Sequence, residues 1–299
     1  MEILGVLAIN ALNFMVPILL ATVGEIVTER SGVVNIGLEG ILNMAAFVAT
    51  AITYLYGDPW TAFILGTLAG TALGLIHAFV STYLRGDQIV SGIGLNMVSY
   101  GACVLGMIAV WKYKGYSPRV ETLPVLNLGK GFILSPFAPI AVAIAVGIWF
   151  LLNRTRIGLA IRACGEDSKA AEAMGIKVLR TRFLATIFGS FLTAIGGAYI
   201  SLGILGTFTQ GIAAGRGFIA LTNVAFSGWN PLIAILGAYI FGFLDSLAQY
   251  LPTVIGGVAS ITYAYPIQTL PYVGTLIIVS TIRWRARIPR ELGKPYIKE

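Results

Sequence analysis

The sequence is short of charge, of histidine and of cysteine. Of its 299 residues only 11% are Asp, Glu, Lys or Arg, while 57% are hydrophobic. A soluble domain carries roughly 25% charged residues. So few charges cannot keep a surface of this size in water, which excludes a soluble globular protein, and the apolar content excludes disorder. Two cysteines, Cys103 and Cys164, give no disulfide framework, and with one histidine, His77, they form no metal-binding cluster. Cys103 sits in an apolar run and Cys164 in a basic loop, so the two are expected in different compartments. The chain also lacks G-x-x-x-x-G-K-[ST]. Gly129-Lys130 and Gly293-Lys294 have neither the leading glycine nor the following hydroxyl, so no ATP is held by that device. The N-terminus has no basic n-region or cleavage site, and its first apolar run reads as a retained membrane helix. With a mean hydropathy of +0.84, what remains is an all-α polytopic transmembrane bundle.

The charges that are present are placed unevenly. The net charge is +7, which alone would permit a nucleic-acid partner. However, seven of the 20 basic residues fall in 154–182, and six (Arg283, Arg285, Arg287, Arg290, Lys294 and Lys298) in 283–298. Both clusters follow long apolar runs. That is the positive-inside pattern and not a nucleic-acid-binding face, so no nucleic acid is expected.

A spanning helix needs about 20 apolar residues. Runs 3–23, 33–56, 60–84, 88–111, 132–152, 183–206, 231–250 and 266–284 qualify. If 153–182 and the basic tail 283–299 both lie in the cytoplasm, parity demands one more crossing after 183–206. The only candidate is 217–229, which is too short for a plain helix, so a broken crossing inside the bundle is expected there. That makes eight or nine membrane segments in one transmembrane domain, 1–299. The 33–56 run could itself begin with a re-entrant half-helix. Gly66, Gly70 and Gly74 recur at four-residue spacing, which predicts a small-residue ridge for close helix packing.

Three stretches carry chemistry. In 24–40, Glu25, Glu29 and Arg30 suit an interfacial charge cluster, while Glu39 lies at or inside the bilayer edge with Asn35 one helical turn away. In 216–231, Asn230-Pro231 reads as an N-cap with proline in the first turn, so a helix restarts there. Asn223 and Trp229 put an amide and an aromatic face beside this break, where unpaired backbone groups could contact substrate. In 154–176, Asp167 or Ser168 can cap a short helix that Gly175 ends. Its Ala170, Ala171 and Met174 form a small apolar face suited either to a groove on a partner or to lipid headgroups. Enzyme readings are thin. An intramembrane serine protease would need a pair such as Ser227 and His77, and a hydrogen-bonded structural histidine is the simpler expectation.

The stretches VGEIVTERSGVVNIGLEGILNMAAF, RTRIGLAIRACGEDSKAAEAMGIKV and GRGFIALTNVAFSGWNPLIAILGAYIFG resemble the membrane permeases of bacterial ABC importers for nucleosides and simple sugars, the ribose-type permeases. Within that family the sequence is most similar to the shorter permease of a nucleoside-importer pair. The resemblance implies a second homologous permease, a cytoplasmic ABC ATPase that carries the ATP and Mg, and an extracytoplasmic substrate-binding lipoprotein, all at the plasma or inner membrane. It implies that 162–175 is the coupling helix, with Arg162, Gly165, Glu166, Ala170, Ala171, Glu172 and Gly175 contacting the ATPase. It also implies that the broken segments around 35–43 and 218–230 line the path, which nominates Asn35, Glu39, Asn43, Phe218, Asn223, Trp229 and Asn230. Asn96 joins them as one of the few uncharged polar residues expected in a path that need bind substrate only weakly. Simple sugars, riboflavin-like compounds and branched-chain amino acids stay open as substrates beside nucleosides. So does an ion-coupled secondary carrier using Glu39 and Asp245.

Overall fold

A computed structural model describes residues 2–127, 129, 133–255, 266–281 and 288–297. The helices in chain order are α1 (Glu2–Arg30), α2 (Leu38–Tyr56), α3 (Pro59–Thr82), α4 (Gln88–Trp111), α5 (Phe137–Arg154), α6 (Arg156–Glu166), α7 (Ser168–Ala173), α8 (Val178–Tyr199), α9 (Arg216–Phe226), α10 (Pro231–Ile255) and α11 (Leu270–Thr281). A π-helical turn, Ile200–Leu205, extends α8. The two-residue strands β1 (Leu126–Asn127) and β2 (Ile133–Leu134) pair antiparallel between α4 and α5. Seven of these helices are long and apolar enough to cross a membrane. Run 266–284 is represented by α11, and residues 282–284 lie outside the described residues. So do Arg283, Arg285, Arg287 and Lys298 of the basic tail.

In hydrocarbon every backbone group must find its partner inside the protein, which forces helices and makes their ends the delicate points. The ends are capped locally where the sequence provides it. Asp58 accepts from the amides of Trp60 and Thr61 ahead of α3, Asp87 from Ile89 and Val90 ahead of α4, and Asn230 from Leu232 ahead of α10. The α1 and α8 helices form the centre of the bundle, packed on each other and on α2, α3, α5, α9 and α10. Their approach is close enough that a Cβ on Gly24 would lie 2.4 Å from the Gly189 carbonyl oxygen. The glycine ridge of α3 works in the same way, with Gly66 against Ala45 and Ala49 of α2, and Gly74 against Ser190 of α8.

The C-terminus of α1, the α6–α7 elbow, the turn before α10 and the segment 288–297 meet at one end of the bundle, the loop end. At the far end, residues 117–123 run beside 202–208 through the pairs Ser117–Phe208, Val120–Gly206 and Leu123–Leu202. Beyond Gly206 (φ +64°) the chain turns back into the bundle. The segment expected to make the extra crossing consists of irregular chain over 206–215 followed by the 11-residue α9, and it starts about ten residues earlier than 217–229 would suggest.

Candidate functional site

Two irregular segments hold most of the nominated polar residues or their partners. The first break, residues 31–37, joins α1 to α2. The Asn35 amide donates to Glu25 Oε1 (2.7 Å), and the Asn35 side chain accepts from the Gly37 amide (2.9 Å). Asn96 of α4 closes the start of α2, accepting from the Gly40 amide (2.7 Å) and donating to the Ile36 carbonyl (3.0 Å). His77 is buried against the Val34 carbonyl (3.0 Å) and Ser91 (3.1 Å). Gln88 accepts from the Val34 amide (2.7 Å). These bonds satisfy the orphan backbone groups from neighbouring helices, and they use the polar atoms of Asn35 and Asn96 to do so. Gly92 lets α4 lie directly on this segment, because a Cβ there would come within 2.8 Å of the Gly37 nitrogen.

The second break is the 206–215 descent. Asn43 Oδ1 accepts from the Ala213 amide (3.1 Å). One turn earlier on α2, the two Glu39 oxygens accept from the amides of Gly215 (2.7 Å) and Gly217 (2.8 Å). Glycine at 215 (φ +76°) offers α9 no side-chain cap, so Glu39 supplies the negative group at that helix's N-terminus from another helix. Arg216 then reaches α10, where Nη2 and Nε donate to Asp245 Oδ2 at 2.6 and 3.0 Å. The same guanidinium donates to the Ile212 carbonyl (3.2 Å).

Beside this pair lies a cavity of about 350 Å³, lined by Thr209, Ile212, Ala214, Arg216, Asp245, Gln249, Gln268 and Tyr272. Tyr272 of α11 donates its hydroxyl to the Ala214 carbonyl and keeps much of its ring exposed. Gln249 and Gln268 present exposed side chains here. Sequence reasoning named Asp245 only for an ion-coupled carrier and passed over Arg216, Gln249, Gln268 and Tyr272. The signal was present for two of them. Asp245 and Gln249 are four apart in an otherwise apolar run, which places both on one face of α10.

The remaining nominated residues close the lower part of the crossing. Asn223 is fully buried and donates to Thr22 Oγ1 (3.2 Å) and the Ala234 carbonyl (3.0 Å). Trp229 is a non-glycine residue at φ +58°, a conformation that survives only where its surroundings hold it. They do so here, because its indole donates to Glu29 Oε2 (2.5 Å) and its carbonyl accepts from Arg30 (3.3 Å). Glu25, Glu29 and Arg30 are thus tied into the bundle and are not paired with one another at its surface, as the interfacial expectation had them. Asn230 is the α10 cap, as its position before Pro231 predicts. Among the nominated path residues Phe218 stands out as half exposed, whereas Asn35, Asn43, Asn223 and Trp229 are buried. Ser227 bonds back to the Val224 carbonyl and has no contact with His77, so the Ser–His reading finds no geometry at that pair.

At the loop end, Asp167 caps α7 by accepting from the Ala170 amide (2.9 Å), and Gly175 (φ +84°) follows its end. The face read as Ala170, Ala171 and Met174 is split by this geometry. Met174 is 83% exposed and Ala170 is exposed, whereas Ala171 turns inward onto Cys164, Val178 and Tyr296. Gly165 is also inward, since a Cβ there would lie 2.3 Å from the Arg30 carbonyl oxygen. Glu166 is exposed, Arg162 is half-buried, and Glu172 accepts from the Tyr296 hydroxyl. That bond pushes the Tyr296 phenol up to about 12. Burial raises the Cys164 thiol as well, which leaves it an inert packing residue.

Comparisons with known proteins agree with this architecture. The chain is 33% identical to the nucleoside ABC transporter permease protein NupC of Lactococcus lactis subsp. cremoris (strain MG1363), over 99% of this chain and 98% of that protein. It is 32% identical to the guanosine ABC transporter permease protein NupQ of Bacillus subtilis (strain 168), again over 99% and 98%. Its fold is similar to the solved inward-facing conformation of an ABC transporter of proposed metal-chelate type, with a TM-score of 0.50 and 16% identity over 93% of this chain and 85% of that one. The family model described as branched-chain amino acid transport system / permease component matches residues 7–279, and the chain belongs to that family.

Proposed function

We propose that the chain is the membrane permease subunit of an ATP-driven importer of nucleosides. The observation that carries this reading is the cavity at the second break, where a polar pair and two amides border an open space within an apolar bundle. Its volume of about 350 Å³ falls in the range of small-molecule sites. A carboxylate can accept from ribose hydroxyls, glutamine amides can bond the edge of a base, and a tyrosine ring offers it a stacking face. The nucleoside permeases similar to this chain over nearly their full length support that substrate class.

In this reading the loop end is the cytoplasmic side of a plasma or inner membrane, and the tail lies there with it, in keeping with the positive-inside pattern. The α6–α7 elbow receives a separate ATPase, a second permease completes the path, and a binding lipoprotein delivers substrate at the far end. ATP and Mg stay on the ATPase. The eight residues nominated from sequence divide by role. Phe218 and the cavity groups face the substrate, while Asn35, Glu39, Asn43, Asn96, Asn223, Trp229 and Asn230 hold the path wall in shape. Closure of the ATPase pulls on the elbows and rocks the two permeases between outward- and inward-open states.

The test is reconstitution in liposomes with a second permease, an ATPase and a binding lipoprotein taken from the same genomic neighbourhood. Accumulation of labelled guanosine or uridine that requires ATP is the expected result. Accumulation by the chain alone under an ion gradient, or uptake of a hexose with no uptake of nucleoside, overturns it.

A further inference from the structure

The segment 288–297 has no regular secondary structure, yet it is tied down along its length. The Glu291 amide donates to the Gly165 carbonyl (2.8 Å) and the Gly293 amide to the Gly32 carbonyl (3.1 Å). Arg182, at the base of α8, is fully buried between this segment and the elbow. It donates to the Lys294 carbonyl (2.8 Å) on one side, and to the Cys164 carbonyl (3.1 Å) and Ser168 Oγ (2.6 Å) on the other. The Tyr296 ring, 6.0 Å from that guanidinium, packs on Ala171 and Cys164, and its hydroxyl bonds Glu172. A single buried cation therefore fastens the tail to the α6–α7 elbow. A basic tail serving only as an orientation signal needs none of these contacts.

The consequence is a two-walled cleft of about 590 Å³. Glu166, Asp167 and Lys169 stand on the elbow wall, and Arg290, Glu291 and Lys294 on the tail wall, so the tail wall carries the excess of positive charge. Arg290 is exposed, and the Lys294 side chain, 63% exposed, makes a loose 3.8 Å ion pair with Glu291 that an incoming carboxylate can compete for. Met174, at the end of α7, and Ile297, beside Tyr296, are exposed apolar groups at the same end of the molecule. We propose that the ATPase docks on this composite surface, with α7 entering its groove and the tail's Arg290 and Lys294 receiving an acidic segment of the same subunit. The inference rests on the reading of the chain as an ABC permease. The charge of the tail wall and its continuity with the elbow both favour that occupant.

The experiment uses the full transporter carrying Arg290→Glu together with Lys294→Glu. This pair leaves Arg182, Tyr296 and the Lys294 carbonyl in place and gives up only the exposed Lys294–Glu291 pair, so the unfolding midpoint of the complex is expected to fall only slightly. ATPase affinity for the permease, measured in detergent, is expected to fall at least ~10-fold, and its dependence on salt to flatten. Met174→Arg on the α7 face is the companion variant. If Met174→Arg releases the ATPase and the charge reversal does not, the composite surface is wrong while the permease reading stands. If neither variant weakens ATPase binding, the ATPase docks elsewhere on the permease and the proposal is overturned. If the reversal lowers binding to vesicles of anionic phospholipid and leaves the ATPase unaffected, the tail is a membrane contact and the proposal is overturned.

Discussion

The two helix breaks are made of similar residues and end in different states. At 31–37, asparagine, glutamine and histidine side chains from α3 and α4 close on the backbone, and Asn35 and His77 are fully buried. At 206–216 the backbone is closed just as carefully, by Asn43 and Glu39, but a charged pair is left over at the margin of a cavity. The first irregular segment is therefore a closed joint, and the second leaves the charged pair and open space that the proposed function takes as the site. What separates them is whether the polar atoms left over border open space: Glu25 Oε2 and Gln88 Nε2 are left unpaired but buried at the first break, whereas Arg216 and Asp245 line a cavity at the second.

The largest expected effect is at Asp245. Asp245→Ala leaves the Arg216 guanidinium, whose side chain is only 9% exposed, with the Ile212 and Ala213 carbonyls as its remaining partners. Breaking a fully buried pair costs ~3–5 kcal/mol, an upper limit here because Asp245 borders the cavity. The unfolding midpoint in detergent should drop sharply and nucleoside uptake should be lost. Replacing both partners with apolar residues, Arg216→Met with Asp245→Leu, should recover much of the stability and none of the uptake. If the double variant transports normally, the second break is only a joint, like the first.

A smaller effect is expected at the first break. Asn96→Ala leaves the Gly40 amide and the Ile36 carbonyl, both in half-buried hydrogen bonds, without their side-chain partner, a loss of ~1–3 kcal/mol. The yield and thermal midpoint of the permease should fall, while uptake per folded molecule stays at the parent value. A change in apparent nucleoside affinity in this variant would make the first break part of the site and erase the contrast.

Much of the frame was readable from sequence because it depends on local quantities. Span length and hydropathy located the long helices, Asn230-Pro231 marked the start of α10, and the spacing of Gly66, Gly70 and Gly74 found the packing ridge. Counting charged loops called for an additional crossing, and 206–226 runs from the far end of the bundle to the loop end, as such a crossing would. The use made of each polar side chain was not readable in this way. Glu39 caps a helix that begins at Arg216, and no pattern near Glu39 reveals that α9 lacks a cap of its own. Ala170 and Ala171 differ by one step of ~100° around a helix, and in a helix of six residues sequence does not set which of them faces out. The tail looked like a topology signal because charge density is visible in sequence, while backbone bonds to Gly165 and Gly32 are not.

The sharpest separation of site from joint comes from the variant with the least effect on folding. Gln249 stands one turn from Asp245 on α10, with its side chain exposed to the cavity. Removing an exposed amide disturbs no packed neighbour, so Gln249→Ala should change stability by no more than ~0.5 kcal/mol. A nucleoside edge that bonds to this amide would lose one hydrogen bond, worth about 0.5–1.5 kcal/mol, which corresponds to a two- to tenfold change in affinity. The expected outcome is a raised KM for uptake with the thermal midpoint and ATPase retention unchanged. The same substitution should matter less for a nucleoside analogue that lacks the base-edge donor or acceptor facing Gln249. Asn96→Ala predicts the reverse pattern, lowered stability with KM preserved, so the two variants measured side by side assign each break its role. Should Gln249→Ala leave KM untouched for every nucleoside tried, the substrate does not rest against α10, and the cavity between Arg216 and Tyr272 is packing space and not a site.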